Sequence, residues 1–354
     1  MKHFSRLIAL VISATSPLHA SAGQWEGPLN GVVNNVIKQG YVSYSESSKT
    51  LQQRASTLCN SPSLKNLKNA QDAFQANVLD WQQVQWLNFG PVTYFMRYYA
   101  FEYWPDKKGV TQRQLRSLAQ GDPKVMNAPK FWTSASIAVR GLTAIESLLY
   151  HPDFDPTQSA KHCELLEKVA THHLESADAV STQWRNGKAQ DWVFDEEGMG
   201  FDPEKIALEQ FLQQWIEHMS AVKDAKIETP IGYNNRENLK LAEFYRSDLS
   251  LKAIQKNLKS YREIYHAGSP SLFDLAKQND PELAKQFEAQ LTQNLKLALQ
   301  LPSDFFHPNS SYSQEARIAL VKPLVQSISN SQSYLSSMVT QLGFQIGFNS
   351  RDGD

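Results

Sequence analysis

Gly141-Leu142-Thr143-Ala144-Ile145-Glu146-Ser147-Leu148-Leu149-Tyr150 is the stretch that decides how this chain folds. It closes a run in which Trp132, Ala135, Val139, Leu142, Ile145 and Leu149 recur at steps of three or four, the spacing of one helix face. The run predicts a helix with Thr143 and Glu146 on one side and Leu142, Ile145 and Leu149 on another. A carboxylate set between Ile145 and Ser147, with Leu148 and Leu149 just beyond, is half-buried and needs a partner. Gly141 inside a helix costs about 1 kcal/mol relative to alanine, which predicts a close approach of something to the backbone there.

The same period continues outward. Upstream, Val33, Ile37, Tyr41, Tyr44, Leu51, Ala55 and Leu58 mark one long amphipathic helix, and Leu67, Phe74, Val78, Trp81 and Leu87 mark a second. An aromatic segment from Val92 to Trp104, with Tyr94, Tyr98, Tyr99 and Tyr103, is assigned to the core, and Thr111-x-x-Gln114 reads as a capping box. Downstream, Cys163, Leu166, Val169, His173, Ala177, Val180 and Trp184 form another helical stripe. Asp202-Pro203-Glu204 and Asp280-Pro281-Glu282 are helix starts with proline at the first helical position. A helix over Ser250 to Tyr265 lies between them, and a last one from roughly Ser313 to Leu342 should kink at Pro323. No strand pattern appears. The fold class is therefore all-α, two helical-bundle domains spanning 23–190 and 200–354, divided by the aperiodic, glycine-rich 186–202. An internal duplication could have produced the two halves, although no residue-level repeat marks it.

The 354 residues are 41% hydrophobic and 20% charged, ordinary for a chain with a sizeable core. Residues 1–22 read as a Sec signal peptide, with Lys2 and Arg6 before the apolar Leu7 to Ile12 and Ala20-Ser21-Ala22 as the cleavage site. That apolar run is far shorter than the ~20 residues that span a bilayer, so the expectation is a soluble, periplasmic chain without membrane insertion after processing. Without Lys2 and Arg6 the balance is 33 basic against 36 acidic residues, which argues against nucleic acid as a partner. Cys59 and Cys163 would meet an oxidising compartment and are expected to pair, closing a loop of roughly 100 residues.

Four stretches together resemble the imelysin-like family. Its signature is a Gly-x-His-x-x-Glu helix followed by apolar residues; Gly141 and Glu146 match, while Thr143 stands at the histidine position. The ending Gly347-Phe348-Asn349-Ser350-Arg351-Asp352-Gly353-Asp354 looks like the C-terminal signature of the proteobacterial branch. Trp104-Pro105-Asp106-Lys107-Lys108-Gly109 and Phe244-Tyr245-Arg246-Ser247 are similar at the expected places. The resemblance implies an exported protein linked to iron acquisition, serving iron-uptake transporter components or a small ligand. It also implies iron, zinc or heme as the bound species and, by the family's namesake activity, a metallopeptidase as the alternative.

The residues themselves weigh these readings differently. A His/Glu pair three apart on a helix is a sound metal-binding spacing, but a threonine hydroxyl is a poor substitute for imidazole. Glu146 is thus the single strong metal ligand of the motif, and pairing with Arg97, Arg140 or Arg246 is its structural alternative. His172 and Glu175 repeat the spacing without the glycine, and His151, His218, His266 and His307 are assigned to structure. No His-Glu-x-x-His, Gly-x-Ser-x-Gly or phosphate-binding loop occurs, so nothing in the residues demands an enzyme. The binding candidates are Glu146, Arg246, Ser247 and the oxygen-rich tail at Asn349, Ser350 and Asp352. A scaffold or interaction module remains the third reading.

Overall fold

In the computed structural model, which describes residues 23–128, 130–192 and 202–346, every long apolar stripe becomes a helix. We label eight of the helices α1 (Lys38–Asn60), α2 (Leu64–Val84), α3 (Leu142–Tyr150), α4 (Ala160–Asn186), α5 (Pro203–Ser220), α6 (Ser250–Tyr265), α7 (Pro281–Gln300) and α8 (Gln314–Gln341). Their starts follow the local chemistry. Ser63 caps α2, Ser159 caps α4, Asp202 caps α5 and Asp280 caps α7, each side chain accepting from a free first-turn N–H. A π-wound segment, Val32–Ile37, leads straight into α1, and a second, Ala221–Glu228, continues α5. Helix α8 runs through Pro323.

Helix α1 packs against α2 and α4, while α7 packs against α6 and α8; α2 also lies on α6, which joins the two groups. The buried apolar side chains form one continuous cluster through both, anchored by Trp81, Trp86, Trp184 and Trp215. A disulfide links Cys59 at the end of α1 to Cys163 at the start of α4, with the Cα atoms 5.4 Å apart. No strand occurs among the described residues, and none of their helices is long and apolar enough to cross a membrane. Residues 1–22, most of the expected boundary segment (193–201) and the tail from 347 lie outside the described residues.

Three expectations change. The run from Trp132 is not one helix: Phe131–Ser134 is a short turn of helix, Ile137–Val139 is a 3₁₀ turn, and Arg140 is extended. The three-four spacing survives because these turns face the same core. The helix from Val110 is capped not by Thr111 but by Asp106, whose two carboxylate oxygens accept from Val110 N and Thr111 N at 2.8 and 2.9 Å. The tyrosine segment is core only in part: Tyr98 packs on the buried Trp81, whereas Tyr94 and Tyr99 are each 46% exposed. Phe95 and Met96 both take left-handed backbone there, and Phe95 is 75% exposed.

His173 of α4 is buried, with Nε2 2.9 Å from Asn77 Oδ1 and 3.1 Å from the Tyr44 hydroxyl. Burial lowers its pKa to about 3, assisted slightly by the charge of His172. A histidine depressed in the folded state contributes stability that is complete above its unfolded pKa near 6.5 and is lost as pH falls toward 3. The stability difference between the parent protein and His173→Gln should therefore shrink by ~1.4 kcal/mol per pH unit below pH 6.5. Urea unfolding of both proteins from pH 7 to 4 measures this, and parallel profiles would contradict it.

Candidate functional site

Helix α3 begins at Gly141, which is therefore a cap rather than an interior residue. Its φ of +80° suits glycine, and a Cβ built there would meet the carbonyl oxygens of Ala100 and Phe101 at 2.1 and 2.5 Å. The close approach expected from sequence is thus with the segment that also carries Glu102. All residues from Leu142 to Leu149 are buried, so the Thr143/Glu146 side faces protein too; Thr143 is 8% and Glu146 2% exposed.

The partner of Glu146 comes from a loop spanning 242–249. Ser247 donates to Glu146 Oε1 twice, from its backbone N at 3.1 Å and its hydroxyl at 2.7 Å, and Arg246 Nη1 donates to Oε2 at 3.4 Å. The loop holds these donors by left-handed backbone at Phe244 (φ +53°) and Asp248 (φ +56°), conformations that cost a non-glycine residue on the order of 1–3 kcal/mol. Burial raises the Glu146 carboxyl, while the Arg246 charge and the Ser247 and Arg246 bonds oppose it. Arg246 lies over the Tyr245 ring at 4.5 Å, and its buried Nε has no partner among the described residues. Glu146, Arg246 and Ser247 are thus brought together by the fold, with Gly141 and Thr143 on the same short helix. Asn349, Ser350 and Asp352 lie outside the described residues.

At the other end of the loop lies a cluster that sequence reasoning missed. Lys226, only 2% exposed, stands in the π-wound segment and points its Nζ at four oxygens: Gln82 Oε1 at 2.7 Å, Gln85 Oε1 at 2.5 Å, Glu243 Oε2 at 2.8 Å and Asn257 Oδ1 at 2.8 Å. Gln85 Nε2 donates to both Glu102 (2.8 Å) and Glu243 (3.0 Å), and Trp81 Nε1 donates to Glu102 at 2.8 Å. His218, assigned to structure from sequence, bonds Tyr261 OH at 2.7 Å and Gln85 Oε1 at 3.1 Å. Burial, and then the charge of Glu243, push the Glu102 carboxyl well above the usual range against the pull of Lys226. One carboxylate neutralises Lys226, so the second acid is favoured in its neutral form. The available signal was that Glu102 and Glu243 each sit in an apolar run immediately before a stretch matched to the family.

Whether a resident metal fits can be judged from the donors. Among the described residues no three His, Cys, Asp or Glu side chains converge as a metal set. Glu146 is already bonded by a guanidinium and a serine, and Thr143 supplies only a hydroxyl. These residues by themselves do not make a resident metal centre.

Two substitutions test this construction. Gly141→Ala should cost at least 2 kcal/mol, because the left-handed backbone and the two carbonyls must both give way; an unchanged melting curve would contradict the packing. Lys226→Met should cost on the order of 3–5 kcal/mol in denaturant unfolding, since it strands a buried carboxylate.

Comparison with known proteins agrees with this architecture. Iron-regulated protein A of Synechococcus elongatus is 22% identical over 301 residues, covering 80% of this chain and 79% of its own. The crystal structure of an imelysin-like protein from Psychrobacter arcticum superposes with a TM-score of 0.76 at 19% identity, over 90% of this chain and 96% of that one. A putative iron-regulated protein A precursor from Parabacteroides distasonis gives 0.72 at 17% identity, over 94% and 97%. The sequence profile described as Imelysin matches residues 37–335, most of the chain, and the protein therefore belongs to the imelysin family.

Proposed function

We propose that this chain is an exported, periplasmic binding protein linked to iron acquisition, with its site at the seam between residues 23–190 and 200–354. The observation that carries the reading is the Glu146–Arg246–Ser247 constellation: a buried carboxylate is met by an arginine whose Nε has no partner among the described residues, on a loop with two left-handed residues. Strained backbone that presents charged groups is a common arrangement for gripping a ligand. The iron link is supported by the names of the Synechococcus and Parabacteroides relatives, and export by the word precursor in the latter and by residues 1–22 of this sequence. The ligand is a small molecule or an iron complex that brings most of its own donors, because the described residues offer one carboxylate. Delivery to iron-uptake transporter components is the matching partner role.

The metallopeptidase reading is less well supported. A catalytic zinc site needs about three protein ligands and a general base, and this motif carries Thr143 in place of histidine. Titration of the mature protein with iron, zinc and heme separates the readings. Binding of iron or heme that falls at least tenfold in Glu146→Gln, with the fold retained, is the expected result. A protein that ignores all three, or a variant that binds unchanged, would sink the proposal, and chelator-sensitive proteolysis would favour the enzyme.

A further inference from the structure

Sequence offered Glu146 three arginines, and the fold gives it Arg246. The other two, Arg97 and Arg140, have no carboxylate partner among the described residues. Arg140 is 7% exposed, its Nε has no partner among the described residues, and the side-chain hydrogen bond seen there runs from Nη1 to the Trp132 carbonyl at a long 3.4 Å. A guanidinium cannot shed its charge as a lysine can, so a buried one without a counter-charge is costly. Arg97 is half-buried and bonds only neutral oxygens, Pro91 O at 3.2 Å and Gln183 Oε1 at 3.0 Å. His172 of α4 stacks on the Trp132 ring at 6.0 Å between centroids, and the charges of both arginines help hold its pKa down near 4, after burial. Glu175, largely solvent-exposed, lies 3.7 Å from His172 Nδ1.

From this we infer a second binding site: Arg140 and Arg97, flanked by His172 and Trp132, form a receptor for an oxyanion, a carboxylate or a phosphate. Guanidinium groups match the paired oxygens of either, and Arg97, Trp132 and His172 are each partly exposed beside the buried Arg140. The site is built from α4, the short helix Arg97–Phe101 and the segment before Gly141, not from the loop that binds Glu146, and it does not rest on the iron-linked reading.

The test uses the mature protein without metal. Calorimetric titration with citrate and with inorganic phosphate should show saturable binding of at least one, and which of the two binds tells carboxylate from phosphate. Arg140→Gln should weaken that binding tenfold or more, and Arg97→Gln several-fold. Because Arg140 has no carboxylate partner among the described residues, Arg140→Gln should also melt at a higher temperature than the parent when no anion is present. No binding of either anion, binding unchanged in both variants, or an Arg140→Gln protein that is less stable or unfolded would each overturn the assignment.

Discussion

A lysine ammonium buried to 2% exposure has to find its counter-charge and its acceptors inside the protein, and Lys226 draws them from widely separated parts of the chain. Gln82 and Gln85 come from the end of α2, Asn257 from α6, and Glu243 from the loop that precedes α6. Asn257 in turn donates to the Gln82 carbonyl at 2.7 Å. The interaction therefore fixes the end of α2, the π-wound continuation of α5 and α6 relative to one another in the core. Hydrogen bonds of this kind contribute modestly to net stability but are expensive to break one partner at a time. Their effect is to make one arrangement of the helices strongly preferred.

The loop over 242–249 carries that arrangement to the candidate site. Glu243 is held by Lys226, while Arg246 and Ser247, three and four residues on, hold Glu146. The left-handed residues Phe244 and Asp248 frame the span between these contacts, and Leu249 N bonds the Phe244 carbonyl at 3.2 Å. On the opposite side, the backbone of Ala100 and Phe101 touches Gly141 just before Glu102 joins the amide network. Both halves of the Glu146 site are thus tied to the same buried cluster by a few residues of chain.

Much of this was legible in the sequence and some was not. Helices α1, α2, α4 and α8 announce themselves because each buries one stripe over many turns, so periodicity accumulates. The short turns between 131 and 139 kept the period while breaking the helix, which a pattern of apolar positions does not register. Gly141 was correctly read as a place of close backbone contact but misplaced within the helix. Tyr94 and Tyr99 misled because aromatic content suggests burial, whereas both lie exposed beside the left-handed turn at Phe95 and Met96. The Lys226 network was invisible for a different reason: its members are polar residues whose burial depends on partners up to 175 positions away. Arg246 and Ser247 could be placed beside Glu146 only by family resemblance, since that contact crosses 101 residues.

The disulfide between Cys59 and Cys163 has a topological meaning beyond its effect on stability. It turns residues 59–163 into a covalent ring, and that ring contains α2, Glu102, Gly141 and Glu146. A protease that cuts once at an exposed turn inside it, such as the one at Lys107 and Lys108, releases no fragment and leaves every site residue attached. The part of the molecule that presents the buried carboxylate is consequently tolerant of single nicks as long as the bond stays oxidised. Reduction would convert the same nick into separation of the two ends.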